Sequence, residues 1–271
     1  MRGLAGRVAL ITGGASGIGA GLVRAFVEQG VNVAFCDIQE SAGQALAQEL
    51  GDGATYFRSD IRVDSEIDAL LASTMRQYGQ LDFLINAAAT YTDRGLDSDR
   101  NDWLNGFNTN LIGHAMLLKA ALEHLKASKN ASVVNFTSEA AHAGLSGRWV
   151  YPATKAAIEQ FTRSAALDLA EYGIRVNAVM PGWTEKPWHK TAPAEVVSHY
   201  NQMAGRLHML GRMGTVSEVA DAALFLCSEH ASFITGSNLR VDGGHSALGP
   251  QGRERHLPTV SRAAAGVVFQ P

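Results

Sequence analysis

Seven short runs of β-branched and apolar residues recur along the chain, at positions 7–12, 31–36, 54–57, 81–85, 132–136, 175–179 and 238–241. Apolar residues dominate them, the pattern of buried parallel strands. Between them lie longer stretches with apolar residues at helical spacing, at 18–29, 40–50, 64–78, 103–126, 151–171 and 217–228. Parallel neighbours need crossover connections, and crossovers of one hand wind helices onto both faces of a twisted sheet. The alternation therefore predicts an α/β fold: a doubly wound, seven-stranded parallel sheet with helices on both faces.

No compositional break, internal repeat or long linker divides the 271 residues, so a single domain over 1–271 is expected. Two regions depart from the alternation. One is an insertion at about 183–212, between the sixth strand and the next helix; the other is a tail at about 246–271. Ligands of doubly wound sheets bind outside the carboxyl ends of the strands, so the insertion is placed to cover a substrate, with a passive surface excursion as the alternative. The tail reads either as a frayed end or as an arm reaching a neighbouring subunit.

Lys and Arg number 23 against 26 Asp and Glu, a net charge of −3, which supplies no basic field for nucleic acid or an anionic membrane. The two cysteines, Cys36 and Cys227, sit in apolar segments and read as buried small hydrophobes, not as a disulfide or zinc framework. Nine scattered histidines without ligand spacing suggest no metal. The opening residues lack a secretory pattern, and no stretch approaches the ~18 apolar residues of a membrane span, so a cytoplasmic protein is expected.

Directly after the first strand comes Thr12-Gly13-Gly14-Ala15-Ser16-Gly17-Ile18-Gly19, opening a helix. Glycines at 13, 17 and 19 permit a tight turn, approach of a pyrophosphate to bare N–H groups, and close helix–strand packing. A glycine loop alone is also an ordinary turn; the strand before it and the helix after it favour a Rossmann-like dinucleotide site. Asp37, ending the second strand, is placed to accept hydrogen bonds from the adenosine ribose and would repel a 2′-phosphate, which favours NAD over NADP. A helix-capping role is compatible with the same residue. Asp60 and Ile61, after the third strand, lie at the height of an adenine ring, with capping again the alternative for Asp60. Asn86 and Ala87 end the fourth strand beside the cofactor, or simply form a strand exit.

The reactive constellation is Ser138 after the fifth strand, with Tyr151 and Lys155 at i and i+4 on one helix face. A tyrosine of pKa ~10 is a poor base at neutral pH, whereas a nearby ammonium favours its phenolate. Ser138 then holds the substrate oxygen while Tyr151 exchanges its proton. Asn110, in the polar segment Asn108-Thr109-Asn110, is placed to hold a water leading from Lys155 to solvent. A Tyr–Lys pair at this spacing is by itself commonly a surface pair.

In this order the glycine loop, the Asn86-Ala87-Ala88 stretch, Asn110, Ser138, Tyr151-Pro-Ala-Thr-Lys155, Pro181-Gly182 and Val241-Asp242-Gly243-Gly244 resemble the short-chain dehydrogenase/reductase family, over residues 7–244. The resemblance implies Tyr151 as catalytic acid/base, Lys155 as the residue binding the nicotinamide ribose and lowering the tyrosine pKa, Ser138 as carbonyl polariser and Asn110 as relay. It also implies a homotetramer. Two departures stand out. Asn86-Ala87-Ala88-Ala89 replaces the family's Asn-Asn-Ala-Gly, and Trp183-Thr184-Glu185-Lys186 follows Pro181-Gly182 where a Thr usually meets the nicotinamide; Thr184 or Lys186 is left to fill that place.

Substrate contacts are expected from Glu139, His142, Arg148, Trp149, Trp183, Trp188 and His189, a mixture of donors, acceptors and flat faces suited to a sugar, polyol or cyclic alcohol. Solvent or subunit contacts are the alternative for several of them. The expected activity is hydride transfer between NAD(H) and a secondary alcohol or ketone. The alternatives are an NAD(P)H-dependent ketone or 3-oxoacyl reductase and, from another class, a catalytically silent dinucleotide sensor.

Overall fold

The computed structural model describes residues 1–249. Its strands are β1 (Val8–Thr12), β2 (Asn32–Asp37), β3 (Ala54–Arg58), β4 (Phe83–Asn86), β5 (Ser132–Phe136), β6 (Arg175–Pro181) and β7 (Asn238–Val241). They form one sheet in the order β3-β2-β1-β4-β5-β6-β7, and every pairing is parallel. The helices are α1 (Gly17–Glu28), α2 (Glu40–Leu50), α3 (Asp64–Tyr78), α4 (Arg100–Phe107), α5 (Gly113–Lys126), α6 (Val150–Leu169), α7 (Ala194–Leu207) and α8 (Val216–Cys227). None of the described helices is long and apolar enough to cross a membrane.

Side chains alternate between the two faces of each strand, so one buried strand feeds two cores. Ala9 and Ile11 of β1 join Val33 and Phe35 of β2 against Leu22, Val23 and Phe26 of α1 and Val219, Ala223 and Leu224 of α8. Leu10 and Ala34 face the other way, with Leu84 and Val133, against Ile67 and Leu70 of α3, Leu117 of α5 and Leu169 of α6. Both cysteines are free and buried, and burial pushes each thiol up to about 12.

Strand order reverses between β1 and β4, where successive crossovers leave in opposite directions and open a crevice at the carboxyl edge. Two elements differ from the sequence expectation. The helical stretch expected at 103–126 begins earlier, at Arg100, where Asp99 and Asp102 form a capping box. It is also broken by a π turn at Asn108–Ile112. The insertion contains a helix, α7, whose Val196, Tyr200 and Met203 remain partly exposed.

Candidate active site

The crevice is a cleft of about 700 Å³ that takes in the glycine loop, the ends of β2 to β6 and the start of the insertion. On one side Gly13, at φ +66°, lies so close to the strand β4 exit that a Cβ would come within 2.6 Å of Ala88 Cα. A Cβ on Gly19 would collide with the Gly13 carbonyl. Helix α1 starts without help: the Ser16 side chain makes no capping hydrogen bond, and no acidic residue occupies the first turn. The uncapped N–H groups and the helix dipole there suit an anion.

Asp37 ties this loop to β2. Its Oδ2 accepts the Ala15 N–H (3.1 Å) and its Oδ1 the Gln39 N–H (3.0 Å). Asp60 is gripped by the Arg62 guanidinium, which holds its carboxyl below the usual range and also donates to Asn105 Oδ1 (2.8 Å). Gly13, Ser16, Gly17, Ile18, Gly19, Asp37, Asp60, Ile61 and Ala87 all line the cleft. Bare backbone at a helix start, with a carboxylate at the next strand end, fits a dinucleotide.

Across the cleft, Ser138 Oγ donates to Glu139 Oε2 (2.8 Å) and accepts the Ala140 N–H (3.2 Å). Tyr151 and Lys155 occupy the first turns of α6. Lys155 Nζ donates to the Phe136 carbonyl (2.8 Å) and stands 5.5 Å from the Tyr151 ring centroid. Burial pulls the Lys155 ammonium down to about 8. Burial also pushes the Tyr151 phenol well up, reinforced by Tyr91 and Glu139, while contact with the Ser138 hydroxyl acts the other way. The spacing implied an acidified phenol; in the protein alone, burial of the ring acts in the opposite sense.

Asn110 shows what the π turn accomplishes. Its side chain is wholly buried: Oδ1 accepts the Thr90 N–H (2.7 Å), and Nδ2 donates to the Thr90 carbonyl (3.1 Å) and Thr154 Oγ1 (3.0 Å). The amide clamps the strand β4 exit to α6 rather than reaching Lys155. Its own carbonyl lies 3.1 Å from Nδ1 of His114, whose imidazole burial drives down to about 3. π turns inside helices are frequent at functional sites.

Some expected residues lie elsewhere. Asn86 is sealed beneath the cleft, its Nδ2 donating to Asn135 Oδ1 (2.8 Å) and its Oδ1 left without a partner; Asn135 passes the link to Thr162 of α6. It serves strand–strand–helix cohesion, since the short strand exit turns it inward. His142 pairs instead with Glu159 of α6 (2.9 Å). Trp149 is half exposed and outside the cleft lining. Pro181, Gly182, Trp183, Thr184, Trp188 and His189 do line it. Thr184 is buried and donates to the Gly182 carbonyl (3.1 Å), while Trp188 stacks on His189 (3.8 Å) and meets Tyr200 of α7 edge-on (5.0 Å).

Two residues escaped the sequence reading. Tyr91 stacks on Tyr151, centroids 4.8 Å apart. Asp93 accepts N–H groups from Trp149 (3.0 Å), Tyr151 (2.8 Å) and Gly95 (3.0 Å), capping the helix that carries Tyr151. Their only sequence signal was position, just beyond the carboxyl end of the strand at the reversal point.

A family model described as enoyl-(acyl carrier protein) reductase matches residues 13–246. L-fucose dehydrogenase of Mus musculus is 39% identical over 246 residues, covering 88% of each chain. Cis-4-hydroxycyclohexanecarboxylate dehydrogenase of Sinomonas cyclohexanicum is 37% identical, covering 89% of this chain and 97% of its own. The chain is a short-chain dehydrogenase/reductase. A third relative in this family, 2,5-dichloro-2,5-cyclohexadiene-1,4-diol dehydrogenase of Sphingobium indicum, is 35% identical, covering 92% of this chain and all of its own. Short-chain dehydrogenase/reductase membership makes the protein an oxidoreductase of CH–OH groups working with a nicotinamide dinucleotide.

Proposed function

We propose that the protein oxidises a secondary alcohol of a sugar, polyol or ring with NAD, with Tyr151 as the acid/base. The observation that carries this reading is the meeting of Tyr151, Ser138 and Lys155 in one cleft with the uncapped start of α1. The relatives named for L-fucose and for cyclohexane alcohols support a polar, compact substrate. When bound, the dinucleotide supplies the hydride acceptor.

Tyr151 Oη takes the proton of the substrate hydroxyl as the carbinol C–H bond breaks, and returns it in the reductive direction. Ser138 Oγ, turning its hydrogen from Glu139 to the substrate oxygen, steadies the developing carbonyl. Lys155 would hold the nicotinamide-side ribose. A positive charge brought into the cleft favours phenolate, opposing the upward push of burial on Tyr151. Asp37 supports NAD: a 2′-phosphate would meet a carboxylate, and the nearby Arg58 and Arg62 are engaged by Glu66 and Asp60. Thr184 fits the nicotinamide carboxamide, and the aromatic group around Trp188 fits a cover over the substrate. A homotetramer completes the reading, by family resemblance.

The test is an NADH-absorbance screen of sugars, polyols and cyclic alcohols with NAD and NADP in parallel. Turnover of at least one class with NAD favoured is expected. Silence toward every secondary alcohol and ketone with either cofactor would return the site to a dinucleotide sensor.

A further inference from the structure

Beyond the reacting groups, the substrate end of the cleft holds Glu139, Arg148, Glu185 and Lys186. The acids are engaged: Glu139 accepts from Ser138 (2.8 Å) and Glu185 from the Val216 N–H (3.1 Å). The cations are held differently. Arg148 Nη1 donates to the Tyr91 carbonyl (3.2 Å), and Lys186 Nζ lies over the Tyr91 ring at 4.7 Å. Neither forms an ion pair with a carboxylate among the described residues. One tyrosine thus presents two cations, one from its backbone and one from its ring face. That tyrosine is stacked on Tyr151.

We propose that Arg148 and Lys186, held by Tyr91, form a subsite for a carboxylate carried by the alcohol substrate. The proposal rests on the dehydrogenase reading above and narrows its substrate class to hydroxy acids in which the carboxylate and the reacting carbinol lie at opposite ends of a compact skeleton such as a six-membered ring. Centroid distances of 4.8 and 4.7 Å put an upper bound of about 9.5 Å on the separation of Lys186 Nζ from the Tyr151 ring centre, within reach of one such molecule. Arg148 and Lys186 lie in each other's field, which burial compounds by drawing the Lys186 ammonium down; an anion between them relieves both. Glu139 acts on Lys186 in the opposite sense, and with Glu139 and Glu185 both at this end of the cleft a monoanionic carboxylate suits the pair better than a phosphate dianion. Arg148 supplies the planar donor fork that carboxylates favour, and Lys186 a point charge.

The test compares kcat/KM for 4-hydroxycyclohexanecarboxylate with that for its neutral carboxamide, with NAD, in the wild-type chain and in Arg148→Gln, Lys186→Gln and the double variant. The acid is expected to be preferred by about tenfold or more. Each single change should erode that ratio and the double change bring it near one, and added salt should reduce the wild-type preference. A ratio near one in the wild type, or one that survives the double substitution, overturns the subsite. The second readout needs no turnover: cyclohexanecarboxylate should raise the melting temperature of the wild type more than that of the double variant. If neither alcohol is oxidised but this difference persists, the dehydrogenase reading fails and the anion subsite stands. Equal or absent shifts in both proteins refute the subsite.

Discussion

The two walls of the cleft are made in different ways. The proposed nucleotide wall is backbone: a loop between β1 and α1 where Gly13 and Gly19 permit contacts that a Cβ would block, pinned by Asp37 through the Ala15 N–H. The substrate wall is side chain, drawn from the strand β4 exit, the Ser138–Glu139 corner, the start of α6 and the insertion. A backbone site needs a short contiguous motif, so it is compact in sequence. A side-chain site needs only that separate segments converge, so its residues lie far apart along the chain and owe their meeting to packing.

Four measurements test that contrast, in order of decreasing consequence. Replacing Tyr151 with Phe should cost about 10²–10⁴-fold in turnover, the usual worth of a positioned acid/base, while dinucleotide affinity stays within a few-fold. A variant keeping more than a tenth of the rate would remove the phenol from the proton path.

The second is a pH experiment on Lys155, whose ammonium is held down at about 8 by burial. Between about pH 8 and the ordinary lysine value, the unfolded chain carries a proton that the folded chain lacks. This group's contribution to stability therefore rises with pH across that window, by on the order of 3 kcal/mol. Urea unfolding of wild type and Lys155→Met at several pH values should show the stability difference between the two shifting by this amount across the window; parallel curves would contradict it.

Third, Gly19→Ala adds a single methyl to the nucleotide wall, where it meets the Gly13 carbonyl. Overpacking of this kind costs about 1–3 kcal/mol, which should appear as roughly a tenfold or greater loss of NADH affinity in a fluorescence titration. Unchanged affinity would mean that the loop does not hold the nucleotide.

Fourth, Asp93→Ala should remove the cap that seats Tyr151, lowering kcat in proportion to about 0.5–2 kcal/mol without a matching loss of NADH affinity, with Asp93→Asn recovering part of it. A purely structural cap would lower the melting temperature and leave kcat alone.

Legibility followed the same division. All seven strands were visible as short runs dominated by apolar residues; the runs at 132–136 and 238–241 coincide with β5 and β7, and the others differ from the observed strands by one or two residues at their ends. The glycine loop and Asp37 were equally open to reading. Asn110 and Asn86 were not: an asparagine in a polar segment looks available for a ligand, and only its neighbours reveal that Thr90 and Thr154 hold the first and Asn135 the second. His142 looked like a cleft residue from its place after Ser138, yet the 3₁₀ turn Glu139–Ala141 aims it at Glu159 on α6. Of the tail at about 246–271, residues 250–271 lie outside the described part of the chain.

Periodicity and a contiguous glycine motif are local properties, and from them the sequence alone determined the parallel sheet, the helix entered through a glycine loop, and the Tyr151–Lys155 pair on one helical face. Tertiary structure decided what surrounds that pair: Tyr91 against its ring, Asp93 beneath its helix, and Arg148 and Lys186 at its mouth. It also decided the direction in which the phenol's acidity moves, because desolvation depends on every atom packed nearby and not on the residue four places along the chain.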